Sequence, residues 1–190
     1  FARLDDELAR WADAGRVATF WWRDDDAVAA TPALARLAVL ARAHDVPVAL
    51  AVVPAGLEPS LEETIAVLPQ CTVVQHGYAH ANHAPSGAKS CELGDGRPRA
   101  IVAHELVAGR ERLAAAFGVR FLPVLVPPWN RIDEALVTEL PSLGYVGLST
   151  FAPRRRSCSP PQVPTRHERG PHAHRRASSA GFPVAIPDTR

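Results

Sequence analysis

The chain has 190 residues, 47% of them hydrophobic, and its 21 basic and 20 acidic residues leave a net charge of +1. That length can bury the core of a single domain, and the balanced charge excludes bulk electrostatics as a reason to bind nucleic acid or a membrane surface. No apolar run approaches the ~18 residues of a membrane span. Asp5, Asp6 and Glu7 stand where a leader would be basic and then apolar, and Cys71, Cys91 and Cys158 form no CxxC, so neither a disulfide framework nor a cysteine zinc site is expected. The expected location is cytoplasmic, any export signal upstream of Phe1 lying beyond this sequence.

Leu4, Leu8 and Trp11 share one face of a first helix that can stop at Gly15, and Val17 to Trp22 is apolar and aromatic enough for a buried strand, which runs into Arg23-Asp24-Asp25-Asp26. Thr31 then Pro32 is a helix start, with Leu34, Leu37, Val39 and Leu40 continuing it to about His44. Val48 to Val53 is a second strand. Ser60 with Glu63 forms a capping box for a short helix ending before Pro69, and Thr72 to Gln75 is a third strand ending at His76. A long helix over Ile101 to Phe117 closes at Gly118, Phe121 to Val126 is a fourth strand, Asp133 to Leu140 a helix and Tyr145 to Ser149 a fifth strand. This βα alternation, with strands apolar on both faces, implies an α/β fold with a parallel sheet, either a barrel or a doubly wound layer, and places function at the C-terminal ends of the strands.

The pattern stops near residue 152. Arg154 to Arg190 holds eight arginines against two acidic residues, a net +6, whereas the chain before it has thirteen basic and eighteen acidic residues, a net −5. Few large apolar residues remain from Pro153 onward and they follow no period, so a disordered tail is expected at 153–190, after a domain at 1–152. A basic tail touching nucleic acid is a weaker reading, because aromatic residues are not interleaved. Lys89 is the only lysine among the 21 basic residues, which suggests GC-rich coding DNA. A hypothesis follows, that the tail is such DNA read out of frame; resequencing that finds an intact frame would remove it.

Three polar clusters fall at strand ends. Asp24-Asp25-Asp26 sets three repelling carboxylates side by side, which a cation or an arginine would stabilise, although a solvated acidic loop is the alternative. His76 and His80, spaced i and i+4 and followed by Asn82 and His83, can point two imidazole nitrogens at one metal ion. His44 and His104 stand isolated on helices and read as surface residues. Pro127-Pro128-Trp129-Asn130-Arg131 fixes the backbone and presents a tryptophan face that could line a sugar-sized groove or pack as part of a stiff loop. Gly87-Ala88-Lys89-Ser90 lacks the glycine directly before lysine that a phosphate loop needs, which excludes nucleotide binding.

Taken in this order, an Asp-Asp pair after the first strand, HxxxH in HGYAHAN after the third and a Pro-Pro-aromatic loop after the fourth resemble the polysaccharide deacetylase family with the NodB homology domain, over about residues 17 to 150. The resemblance implies a distorted, here incomplete, (β/α) barrel that removes acyl groups from N-acylated sugars with one divalent metal, zinc by default and manganese, iron or cobalt as alternatives. It implies Asp24 as catalytic base and Asp25, His76 and His80 as metal ligands, chosen for the spacing to Thr31-Pro32, with Asp26 as alternative ligand if the pair is Asp25 and Asp26. It further implies a backbone N–H near Trp129 for the oxyanion, and Tyr78, Asn82, Trp129 and Asn130 around the substrate. The family's arginine before its Pro-aromatic pair is replaced by Val126, so Arg131 becomes the candidate for contact with the Asp24 carboxylate. The family's later motifs, an Asp/Trp segment and a Leu-x-His that protonates the leaving amine, have no match in Pro153 to Arg190, where His167, His172 and His174 sit in another context. The expectation is therefore a damaged or truncated deacetylase-type hydrolase with weak turnover. Its rivals are a non-catalytic carbohydrate-binding module stapled by metal, and a barrel phosphoesterase, which would need two metals.

Overall fold

The computed structural model describes residues 2–17 and 22–150. The first helix, α1 (Ala2–Asp13), buries none of its residues, and Gly15 beyond it adopts φ +67°. The elements that follow are β1 (Trp22–Ala27), α2 (Pro32–Ala43), β2 (Val48–Val52), α3 (Pro59–Ala66), β3 (Cys71–His76), α4 (Arg99–Phe117), β4 (Phe121–Val126), α5 (Glu134–Glu139) and β5 (Gly147–Leu148). Residues 18–21 of the expected first strand, and the whole of 153–190 with Cys158, His167, His172 and His174, lie outside the described residues.

The five strands are all parallel and stand in chain order, β1-β2-β3-β4-β5. A doubly wound sheet would reverse its order at a switch point; this one does not, which decides for the barrel side. The sheet also curls. Strands lie roughly 4.8 Å apart, so the first and fifth strands of a flat sheet would be about 19 Å apart, yet the Arg23 guanidinium on β1 donates to Ser149 Oγ at 2.7 Å. Ser149 is itself tied to β4 through its N–H to the Leu125 carbonyl. The two edges thus face each other across the concave side without pairing, as in an incomplete barrel.

Successive residues point to opposite faces. Leu50, Val52 and Val73 pack on the helical side with Leu61 and Ile65 of α3 and Leu113 and Phe117 of α4. Leu125 packs there with Leu106 of α4, Leu136 of α5 and Tyr145. Ala51, Val74, Val124 and Val126 cluster on the concave side, where small residues fit the curl. Gly109 lets α4 approach the sheet closely, since a Cβ there would clash with Gln75 Nε2 and Pro54. Gln75 is fully buried, donates to the Gly77 and Leu106 carbonyls, and accepts from the Tyr145 hydroxyl.

Two local expectations are corrected. The capping box at Ser60 does not form: α3 starts two residues earlier, with Glu58 as N-cap and no side-chain cap bond, while Ser60 Oγ accepts instead from the Ala30 amide. The aspartate triplet belongs to β1 itself rather than following it, because β1 runs to Ala27. Thr31 does cap α2, its hydroxyl accepting from the Leu34 amide at 3.1 Å, and Gly118 at φ +53° stops α4.

Candidate metal centre

β1 and β2 pair regularly from Trp22↔Val48 to Asp24↔Leu50, and then resume at Ala27↔Val52. Three steps on β1 match two on β2, so one residue is extra, the signature of a β-bulge. The consequence for the triplet is direct. Asp24, in register with Leu50, takes the helix-facing side, whereas Arg23, in register with Ala49, takes the concave side together with Asp25. Asp26 is the bulged residue, at φ +66°, and its carboxylate turns over the rim of the sheet.

There it meets the two histidines. Asp26 Oδ1 lies 3.0 Å from His76 Nε2 and 3.1 Å from His80 Nε2. These three residues form the one histidine, cysteine or carboxylate group, among the described residues, whose donor atoms all lie within 4.8 Å of each other. The converging carboxylate is therefore Asp26, the alternative ligand, in place of Asp25, because the bulge shifts the rim position by one residue.

The donor set fits a divalent cation. His76 is 3% exposed, and its Nδ1 is 2.9 Å from the Val126 carbonyl, which can only accept, so Nδ1 carries a hydrogen and the neutral ring presents its lone pair at Nε2. A bare nitrogen lone pair facing a carboxylate oxygen is repulsive unless positive charge stands between them. Tetrahedral bonds of ~2.0–2.1 Å put donor atoms about 3.3 Å apart, close to the spacings seen.

The backbone around the site is specialised. His76 ends β3, and the turn that follows has Gly77 at φ +57° and His80 at φ +54°. The Gly77 amide donates to the same Val126 carbonyl as His76, and the Ala55 amide donates to the Tyr78 carbonyl. Glu92 lies beneath this turn, 1% exposed, accepting from the Tyr78 amide at 3.2 Å and the Ala79 amide at 2.7 Å. Trp129, at φ +54°, packs its ring 4.4 Å from that of His80 and walls one side of the centre, and exposed Asn130 follows it at φ +56°.

Asp25, one residue before the rim aspartate, is held by Arg23. Arg23 Nη2 donates to its Oδ2 at 2.9 Å, and Arg23 Nε lies 2.7 Å from its Oδ1. Asp24 has no such partner among the described residues, and its pKa is held above the usual carboxylate range by partial desolvation and then by the charges of Asp25 and Asp26. Arg131 does not approach Asp24: it follows the Trp129 turn away from the centre and donates to the Ser90 carbonyl at 2.7 Å. Asn82 is likewise engaged in its own loop, its Oδ1 accepting from the Ala84 and Cys91 amides. Sequence reasoning missed Arg23 and Glu92. The i, i+2 spacing of Arg23 and Asp25 on a strand was the available signal for the first; no spacing points to the second.

No family model matches the sequence, and no curated protein matches it. Among solved structures, the fold is similar to that of the Bc1960 peptidoglycan N-acetylglucosamine deacetylase in complex with 4-naphthalen-1-yl-N-oxidanyl-benzamide, at 15% identity and TM-score 0.53, covering 67% of this chain and 54% of that one. It is similar to IcaB from Ammonifex degensii, at 14% identity and TM-score 0.56, covering 71% and 61%. It is also similar to the Streptococcus pyogenes deacetylase PplD in complex with acetate, at 13% identity and TM-score 0.51, covering 76% and 63%. The chain thus spans 54% to 63% of the length of these structures, and at such identities the likeness is one of fold. Over that length the fold is the parallel α/β sheet of these deacetylases, open among the described residues.

Proposed function

We propose that this chain is a metal-dependent hydrolase of non-peptide carbon–nitrogen bonds that deacylates an N-acylated sugar. The observation that carries the reading is the meeting of Asp26, His76 and His80 at the strand ends, with Asp25 on the adjoining concave face held by Arg23. A divalent cation in that centre, zinc by default with manganese, iron or cobalt accepted by the same donors, supplies Lewis acidity for polarising an amide carbonyl and activating water.

The chain's own residues do the rest. With Asp26 as ligand, the base moves by one residue from Asp24 to Asp25, which accepts the proton of the attacking water. Arg23 holds Asp25 turned inward through its paired contacts, replacing the arginine absent at Val126. The Trp129 amide is the donor assigned to the developing oxyanion, and its ring excludes water and offers a flat face to a sugar. Tyr78 and Asn130 keep their proposed role in holding the substrate; Asn82 and Arg131 act by shaping the neighbouring loop.

Support comes from the fold shared with the deacetylases above, one of which has peptidoglycan N-acetylglucosamine deacetylase in its name and another of which holds acetate. The test is acetate release from N-acetylglucosamine oligomers by metal-free and zinc-loaded protein. Release that requires zinc and is lost in Asp25→Asn supports the proposal. Zinc binding without any release favours the non-catalytic carbohydrate-binding reading, in which Trp129 is a sugar platform.

A further inference from the structure

Glu92 lies outside every motif of the site, yet it is one of only four buried polar or charged residues among those described. Burying a carboxylate is costly unless it is bonded, and both oxygens are: Oε2 accepts from the Tyr78 amide and Oε1 from the Ala79 amide. These are two consecutive amides of the turn between His76 and His80. Gly77 makes the contact possible, because a Cβ there would overlap Glu92 Oε2 and the Pro128 ring.

The segment carrying Glu92 is pinned on both flanks. The Cys91 amide donates to Asn82 Oδ1 and the Cys91 carbonyl accepts from the His83 amide, while the Leu93 carbonyl accepts from the Asp133 amide and Arg131 holds the Ser90 carbonyl. Glu92 is thereby fixed between the histidine turn and the Trp129 loop. We infer that Glu92 is a positioning residue of the metal centre: its buried carboxylate fastens the two amides that aim His80, and adds negative charge behind the cation. Glycine alone at position 77 would leave the turn free, and His80 at φ +54° needs its surroundings to hold it.

The inference rests on the proposed metal site, and the experiment separates the two. Zinc affinity is measured by competition with a chelator for the wild-type chain, Glu92→Gln, Glu92→Asp and, as a control, Thr31→Ala, which removes a remote helix cap. The amide of Glu92→Gln turns an N–H donor toward one of the two backbone N–H groups and removes the charge. The expected result is a ~10–100-fold loss of zinc affinity in folded Glu92→Gln, the range typical of partners that hold a ligand. Glu92→Asp should fall between it and the wild type, and Thr31→Ala should lower the melting temperature without changing affinity. Wild-type affinity in Glu92→Gln overturns the inference and leaves the metal site standing; if Glu92→Gln does not fold, wild-type affinity in Glu92→Asp does the same. A wild-type chain that binds no zinc overturns both.

Discussion

Between β2 and β3 the ladder runs from Val48↔Cys71 to Val52↔Gln75 with no break, all five residues of β2 are buried, and apolar side chains pack against α3 and α4. Where β1, β3 and β4 end, the same sheet is irregular: a bulge at Asp26, positive φ at the non-glycine residues Asp26, His80, Trp129 and Asn130, and buried polar side chains at His76 and Glu92. Left-handed backbone costs a non-glycine residue of order 1 kcal/mol or more and persists only where the surroundings impose it. Asp45, in the turn between α2 and β2, is the remaining non-glycine instance among the described residues. The regular region supplies the stability that lets the rim hold side chains in positions that serve a ligand.

That contrast can be broken from either side. Asp25→Asn should lower zinc-dependent acetate release by about 10²–10⁴-fold, the usual worth of a general base, and leave thermal unfolding near that of the wild type; a proportionate loss of both would mean that Asp25 is structural. Leu113→Ala, in the fully buried cluster of the helical side, should cost about 2–5 kcal/mol of stability, read by urea unfolding, with zinc affinity unchanged in the folded protein.

The smallest effect is a titration on the apolar side. Burial pushes the Cys71 thiol from 9.0 up to about 11, against a lesser opposing pull from Arg120. A folded-state value above the unfolded one means the folded chain keeps its proton longer. Stability is therefore complete below about pH 9 and declines as pH rises toward 11. Compared with Cys71→Ala, the wild type should lose at most about 2 kcal/mol more between pH 8 and pH 10.5; equal losses would contradict the assignment.

Legibility from sequence followed the same division. β4 is found with its observed bounds and α2 with its Thr31 cap, because alternation, helical period and cap chemistry are local signals. Curling was expected from the family resemblance and not from any local signal, since the contact of Arg23 with Ser149 joins residues 126 apart. HxxxH was readable as a pair, but which aspartate faces it was not: the identity of the rim carboxylate is set by one extra residue in the β1 ladder, and a triplet of identical residues hides a shift of one. Arg131 was assigned toward Asp24 from proximity in sequence to Trp129, and the positive φ of Trp129 and Asn130 turns the chain before it can point there. Glu92 was invisible because its partners are backbone amides, which leave no mark in composition or spacing.

The account stands on Asp26 sharing a cation with His76 and His80. Calorimetric titration of metal-free protein with Zn²⁺ tests this when the wild type is set beside Asp26→Asn and Asp25→Asn. One zinc per chain, a loss in Asp26→Asn exceeding the ~10–100-fold of an outer partner, and wild-type affinity in Asp25→Asn are predicted. Wild-type affinity in Asp26→Asn together with loss in Asp25→Asn would contradict it.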